Sequence, residues 1–389
     1  MKLVQAIGCV IALAAAAAGT RQDARVTALY ADALLDVRHG RTIRDALVVV
    51  TGDRITHAGA KADLQARVPT GAEHVELGSV TLLPGLIDGH VHLALAGVPA
   101  ENARATVEAG FTTVQDLGAN DAQILRLRDE INAGRIVGPR VLAAGRWIGV
   151  TDGICDFGGI GVRGAAAFRE RVEEEVRRGA DVIKVCVSGW LADARRDPNR
   201  YEISDVELRS AIDAAHRLKK RVAVHAISAA GIDAAVRLGA DLVVHAGFVA
   251  PKTVAAMRRR SIYLLPTLFS FSRAQPPDDV LAVQSHLRGA VQAGLPIGFG
   301  TDAGVIAHGR NAREFELLKD LGLEPLELVR AATIHAAAAV GMAGKIGVIE
   351  PGASADVIAL DGDPLRDISA FQRVAFVMSR GVVIKRPQK

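Results

Sequence analysis

From Val80 onward the chain alternates short apolar runs with amphipathic stretches. The runs Thr81–Ile87, Thr112–Leu117, Arg140–Ala144, Val182–Val187, Val222–Val224, Leu242–Val244, Ile262–Leu265 and Ile297–Gly300 read as buried strands. Eight such strands separated by helical segments predict an α/β fold of the (β/α)8 TIM-barrel type. The intervening helices carry their own start signals. Ser204-Asp205-Val206-Glu207 is a capping box for a helix reaching about Lys220, and Pro251 and Pro325 are first-turn prolines of two others.

The flanks follow a different rhythm. From about Arg25 to Ser79 short β-rich runs are broken by turns, and Leu47–Val50 followed by Gly52-Asp53 and Arg54-Ile55 predicts a hairpin. After Gly344 the helical rhythm ends, and Ala355–Leu360 and Arg373–Val377 read as strands again. The expected organisation is a barrel over 80–345 beside a small β-sandwich built from 25–79 and 346–389. Residues 1–19 have a short basic head, an apolar run and small residues at its end, so they are expected to be a signal peptide cleaved near Ala18. A membrane span needs about 20 strongly apolar residues, and this run is short and rich in alanine. A periplasmic or secreted location without a stable span is therefore expected.

Composition narrows the function classes. The chain has 389 residues, half of them hydrophobic, which allows a large core. Its 47 basic and 43 acidic side chains leave a formal charge of +4. These charges are scattered, so no nucleic-acid partner is expected. Removal of the signal leaves Cys155 and Cys186, whose pairing the sequence leaves open, and no Cys-x-x-Cys occurs. Oligomeric state is equally open, a homo-oligomer included.

Candidate chemistry sits at the strand ends. His90 and His92 are two apart after an almost wholly apolar strand, so they project to one face. Lys184 lies inside the apolar run Asp181–Val187, where an ammonium is costly unless paired or neutralised. A salt bridge to Asp302 or Asp116 would satisfy it. The alternative is a neutral amine that adds carbon dioxide and becomes an anionic carbamate ligand. His225 and His245 each end an apolar strand, and Asp302 follows the last one. Alone, either histidine reads equally well as a packed core residue; together with the others they read as a metal site.

These residues resemble those of the amidohydrolase superfamily, in particular its imidazolonepropionase-like and metal-dependent dipeptidase members (Xaa-Pro or Xaa-Arg/Lys dipeptidases). Gly110–Val114 and Ile349–Asp356 also look like family signatures, and the resemblance runs from about Leu82 to Pro364. It implies that His90, His92 and Asp302 hold one metal, that His225 and His245 hold a second, and that a carboxylated Lys184 bridges the pair. Two divalent ions, zinc by default given imidazole and carboxylate donors without thiolate, are the implied cofactor. The implied reaction is hydrolysis of an amide in a dipeptide or N-acyl amino acid by metal-activated hydroxide, with Asp302 as catalytic proton shuttle.

For substrate contacts the sequence offers His308 and Arg310 as carboxylate grips, and Trp190, Tyr201 and Ile227 as further lining residues. Trp147, Phe157, Phe269 and Phe271 also fall in strand-end loops. Ile227 and Ile154 stand where relatives commonly carry polar side chains, which puts the relatives' substrate preference in doubt for this chain. Cys186 reads as a small packing residue. Two rival readings are a mononuclear cyclic-amide hydrolase with unmodified Lys184 and a non-catalytic binding protein on the same barrel. No glutamate follows His225 closely, which counts against a deaminase.

Overall fold

The computed structural model describes residues 25–387. The expected signal segment lies outside the described residues. Among them, no helix is long and apolar enough to cross a membrane.

The described residues form fifteen strands: β1 (Val26–Asp36), β2 (Arg41–Thr51), β3 (Arg54–Ala60), β4 (Glu73–Glu76), β5 (Thr81–Pro84), β6 (Leu86–Val91), β7 (Phe111–Asp116), β8 (Arg140–Ala143), β9 (Val182–Cys186), β10 (Arg221–Ala226), β11 (Leu242–His245), β12 (Tyr263–Leu265), β13 (Val357–Leu360), β14 (Val374–Ser379) and β15 (Val382–Lys385). The two ends of the chain meet in one eight-stranded sheet, ordered β15-β14-β13-β5-β1-β2-β3 with β4 beside β1. The Gly52-Asp53 turn joins β2 to β3 as the hydrophobic pattern predicts.

Thr81–Ile87, expected as one barrel strand, is two strands. β5 pairs with β1 and with β13 in the terminal sheet, whereas β6 pairs with β7. Gly85 makes the switch. A Cβ there would lie 2.0 Å from Thr112 Oγ1, so only glycine lets the chain cross that closely.

The middle of the chain forms a TIM-barrel-like α/β arrangement of two parallel sheets, β6-β7-β8 and β9-β10-β11-β12. Single backbone links span the gaps between them. Asp181 N donates to Ala143 O at 2.8 Å and Ile148 N to Lys184 O at 2.9 Å. On the other side Gly298 N donates to Leu264 O at 2.9 Å and Gly89 N to Phe299 O at 2.8 Å. The expected eighth strand, Ile297–Gly300, forms an isolated bridge at Ile297 instead of a ladder. Its glycines explain the close seating. A Cβ on Gly300 would meet Leu265 at 2.9 Å and the His90 Cβ at 3.2 Å.

Helices cover these strands. The helix Asp205–Arg217 begins with the full capping box of Ser204 and Glu207, and Pro251 and Pro325 open their helices. Contacts that tie this unit to the terminal segments include Phe315 stacked on Phe371 at 3.9 Å and Arg140 donating to Ser354 Oγ at 2.8 Å and to Asp356 Oδ2 at 3.2 Å.

Candidate active site

Parallel strands aim their carboxyl ends the same way, and this brings residues far apart in sequence onto one cavity floor. His90, His92, Lys184, His225, His245 and Asp302 all line a single cavity of about 420 Å³. His90 Nε2 lies 3.1 Å from His92 Nε2, and Asp302 Oδ1 lies 3.3 Å and 3.2 Å from them respectively. The His245 ring centroid is 5.0 Å from that of His90 and 4.5 Å from that of His225. Two of these residues sit in the left-handed backbone region, His245 at φ 70° and Asp302 at φ 60°. Non-glycine residues rarely adopt it, and such conformations concentrate at functional sites.

Burial sets the charge states. It holds the imidazoles of His90 and His225 well below their ordinary range and that of His245 down to about 3. It also lowers the Lys184 ammonium to about 7, against the pull of Asp302. For Asp302 burial works upward, but the neighbouring His90 and His92 outweigh it and keep the carboxyl ionised, well below the usual range. The Lys184 Nζ, the His225 Nε2 and the His90 Nδ1 are buried without a hydrogen-bond partner.

His92 shows why a cation fits. Its Nδ1 lies 2.5 Å from the Gly118 carbonyl and donates to it, which leaves Nε2 as the nitrogen facing His90 and Asp302. Two imidazole nitrogens and a carboxylate oxygen 3.1–3.3 Å apart form a donor set that a cation between them would satisfy. Ligands 2.0–2.1 Å from a tetrahedral zinc stand about 3.3 Å apart, which matches this trio. The three donor atoms lie within 4.8 Å of one another.

Residues that hold these ligands carry weaker sequence signals. Asp88 accepts from His90 N (3.1 Å), Thr301 N (3.1 Å), Thr301 Oγ1 (2.6 Å) and Asn311 Nδ2 (2.8 Å), so one buried carboxylate ties the His90 strand to the Asp302 loop. His245 Nδ1 lies 2.7 Å from Thr267 Oγ1. Glu314 accepts from Leu268 N at 2.8 Å and Phe269 N at 2.7 Å, fixing the turn that carries Thr267. A buried acid on an apolar helix face, as in Glu314-Phe315-Glu316-Leu317-Leu318, is the available signal for such a role.

Of the expected substrate contacts, Trp190 and Ile227 line the cavity, and so does Ile154. His308, Arg310 and Tyr201 do not. His308 turns its Nδ1 to Thr106 Oγ1 at 3.1 Å and its Nε2 to the His92 carbonyl at 3.4 Å, which braces the loop from behind. Arg310 lines a separate surface recess with Arg313 and Lys385. Tyr201 donates its hydroxyl to Asp205 at 2.8 Å. Trp147, Phe157 and Phe271 line the cavity and Phe269 does not. Cys186, expected to be a packing residue, is disulfide-bonded to Cys155, itself part of the wall.

Known proteins share this architecture. Residues 81–384 match the Amidohydrolase family profile. The chain belongs to the amidohydrolase family. An ochratoxinase of Aspergillus niger is 30% identical, covering 94% of this chain and 88% of the relative, and its crystal structure aligns with a TM-score of 0.82. The crystal structure of a Xaa-Pro dipeptidase with methionine in its active site aligns with a TM-score of 0.82 at 28% identity, over 92% of this amidohydrolase and 99% of that chain. An imidazolonepropionase of Thermoplasma acidophilum is 23% identical over 89% of this chain and 92% of its own. The resemblance read from the sequence therefore holds, and the protein is an enzyme hydrolysing amide or peptide C–N bonds of small molecules. This removes the non-catalytic binding protein. Amidohydrolases use divalent metals, and the His90, His92 and Asp302 group can hold one.

Proposed function

We propose that this amidohydrolase is a two-ion enzyme that cleaves the amide of an N-acyl amino acid or dipeptide. The observation carrying the reading is the convergence of His90, His92, Lys184, His225, His245 and Asp302 on one cavity floor, with the Lys184 Nζ buried and partnerless. His90, His92 and Asp302 hold one ion, and His225 and His245 hold the other. Bound divalent metal, zinc by the chemistry of these donors, supplies Lewis acidity at the amide carbonyl and lowers the pKa of water.

The chain's own residues do the rest. Lys184, unable to keep an ammonium there without a partner, adds carbon dioxide as the neutral amine: its nitrogen bonds to the carbon as one C–O π bond opens, one N–H proton passes to solvent water, and the carbamate would offer its oxygens to the ions. Asp302, ionised and on the cavity floor, takes the proton released from the attacking water and delivers it to the amine nitrogen as the C–N bond breaks. The likeness to a Xaa-Pro dipeptidase supports a substrate with a peptide bond next to an amino acid. The apolar segment at 1–19 supports export to the periplasm or medium, which cell fractionation of the full-length chain tests.

A mononuclear enzyme with unmodified Lys184 is the second reading, because the tightly packed donor group is the His90, His92 and Asp302 trio alone. Metal analysis of active protein decides between them. Two ions per chain with activity rising until both are bound is expected; full activity at one ion would remove the two-ion reading. Lys184→Ala should lose metal and activity and recover part of both with added short carboxylic acids. Failure of the metal-loaded enzyme to cleave any member of an N-acyl amino acid and dipeptide panel would refute the substrate assignment.

A further inference from the structure

Rings continue outward from the metal ligands. From His92 the next ring centroid, Trp147, is 5.6 Å away, Phe157 is 5.6 Å beyond that, and Trp190 a further 6.3 Å. Exposure climbs along this run, from 6% at Trp147 to 43% at Phe157 and 53% at Trp190. The run therefore leads from the cavity floor to its mouth. A tryptophan and a phenylalanine left half in water forgo much of the stabilisation that burial gives.

The mouth is apolar beyond these rings. Among the described residues nine large hydrophobics are exposed, and four of them, Leu95, Phe157, Trp190 and Val305, line this one cavity. Such concentration marks a binding surface more than chance exposure does. The remaining lining includes neutral Asn120, Ser270 and Gln275; apart from Lys184 and Asp302 it holds no lysine, arginine, aspartate or glutamate. The cavity can select by shape and stacking but offers no guanidinium for a substrate anion.

Resting on the hydrolase reading above, we infer that Phe157 and Trp190 form an aromatic clamp that selects substrates bearing a planar aromatic group beside the scissile amide. The two rings stand 6.3 Å apart at 42°, in contact with each other, so together they offer their outward faces and edges to a flat ring, offset-stacked or edge-on, a contact that an alkyl chain of similar area lacks. Trp147 continues the contact toward the floor. The disulfide from Cys155, two residues from Phe157, to Cys186 on β9 holds the clamp's inner segment against the strand of Lys184.

The test compares metal-loaded wild type with Trp190→Ala and Phe157→Ala on three substrates: N-(2-naphthoyl)-alanine, N-octanoyl-2-naphthylalanine and N-octanoyl-alanine. At least one ring-bearing substrate should exceed N-octanoyl-alanine in kcat/KM by about tenfold, and that ratio should fall toward one in both variants at unchanged metal content. Equal kcat/KM values on all three, or a ratio unaltered in both variants, overturn the clamp and leave the hydrolase reading intact. Calorimetry with 2-naphthamide and octanamide reads the same preference without turnover. Should no substrate be cleaved, the N-acyl amino acid assignment fails, while tighter wild-type binding of 2-naphthamide, lost in the variants, sustains the clamp and equal binding ends it.

Discussion

At the residue scale the site depends on carboxyls in opposite states. Asp302 stays ionised beside His90 and His92, the state that the proposed shuttle role requires. Asp302→Asn keeps the shape and removes that capacity. Its kcat should fall 10²- to 10⁴-fold with little change in melting temperature; a drop under threefold in steady-state assays would move the proton shuttle elsewhere. Glu314 is the counterpart. Fully buried, its carboxyl is pushed up from 4.5 to about 8, chiefly by burial and against two backbone N–H donors. A folded-state pKa above the unfolded one favours the native state most below about 4.5, and that contribution drains away as pH rises through about 8. Glu314→Gln cannot titrate. Urea melts at pH 5, 6.5 and 8 should show the stability difference shifting toward the variant as pH increases; a constant difference would mean that Glu314 does not take up a proton on folding.

At the scale of elements, the Cys155–Cys186 bond joins the cavity wall to β9 across 31 positions of sequence. Replacing both cysteines with serine frees a loop whose closure is worth about 3 to 4 kcal/mol in the chain-entropy view. The expected signature is a lower unfolding midpoint and a raised KM at near-constant kcat, because the wall loosens while the strand-borne histidines stay in place. A large kcat loss with KM unmoved would show that the bond supports the ligands instead. How legible these elements were follows from locality. Apolar runs ending in His90, His225 and His245 announced themselves, since burial of a whole strand needs an uninterrupted apolar string, and the Ser204 capping box is wholly local. Gly85 hides a strand break that depends on Thr112 across the fold. His308 and Arg310 follow Asp302 closely in sequence, yet their loop turns one behind His92 and the other to a separate recess. The cysteine pairing and the Asp88 and Glu314 supports are likewise contacts between distant segments, which periodicity does not encode.

At the scale of the whole molecule, the terminal sheet must be fastened to the unit that carries the chemistry, because both ends of the chain build it. Asp356 does much of the fastening. Nearly buried at 2% exposure, it takes Arg140 Nη2 from the start of β8 at 3.2 Å and Arg380 N from beyond the end of β14 at 2.9 Å. Three segments thus converge on one carboxylate. Asp356→Ala leaves a partly buried guanidinium without its counter-ion, with Ser354 Oγ as its remaining acceptor, and the Arg380 N–H without its acceptor, a loss of about 2 to 4 kcal/mol, below the fully buried case because the Arg140 side chain is 22% exposed. Arg140→Met removes the charge from the other side, so the double variant should cost clearly less than the sum of the two single ones. Urea unfolding of the four proteins reads this directly. Strict additivity would mean that Asp356 acts only through the backbone of β14, and that the two units are held by packing such as Phe315 on Phe371 instead of by this ion pair.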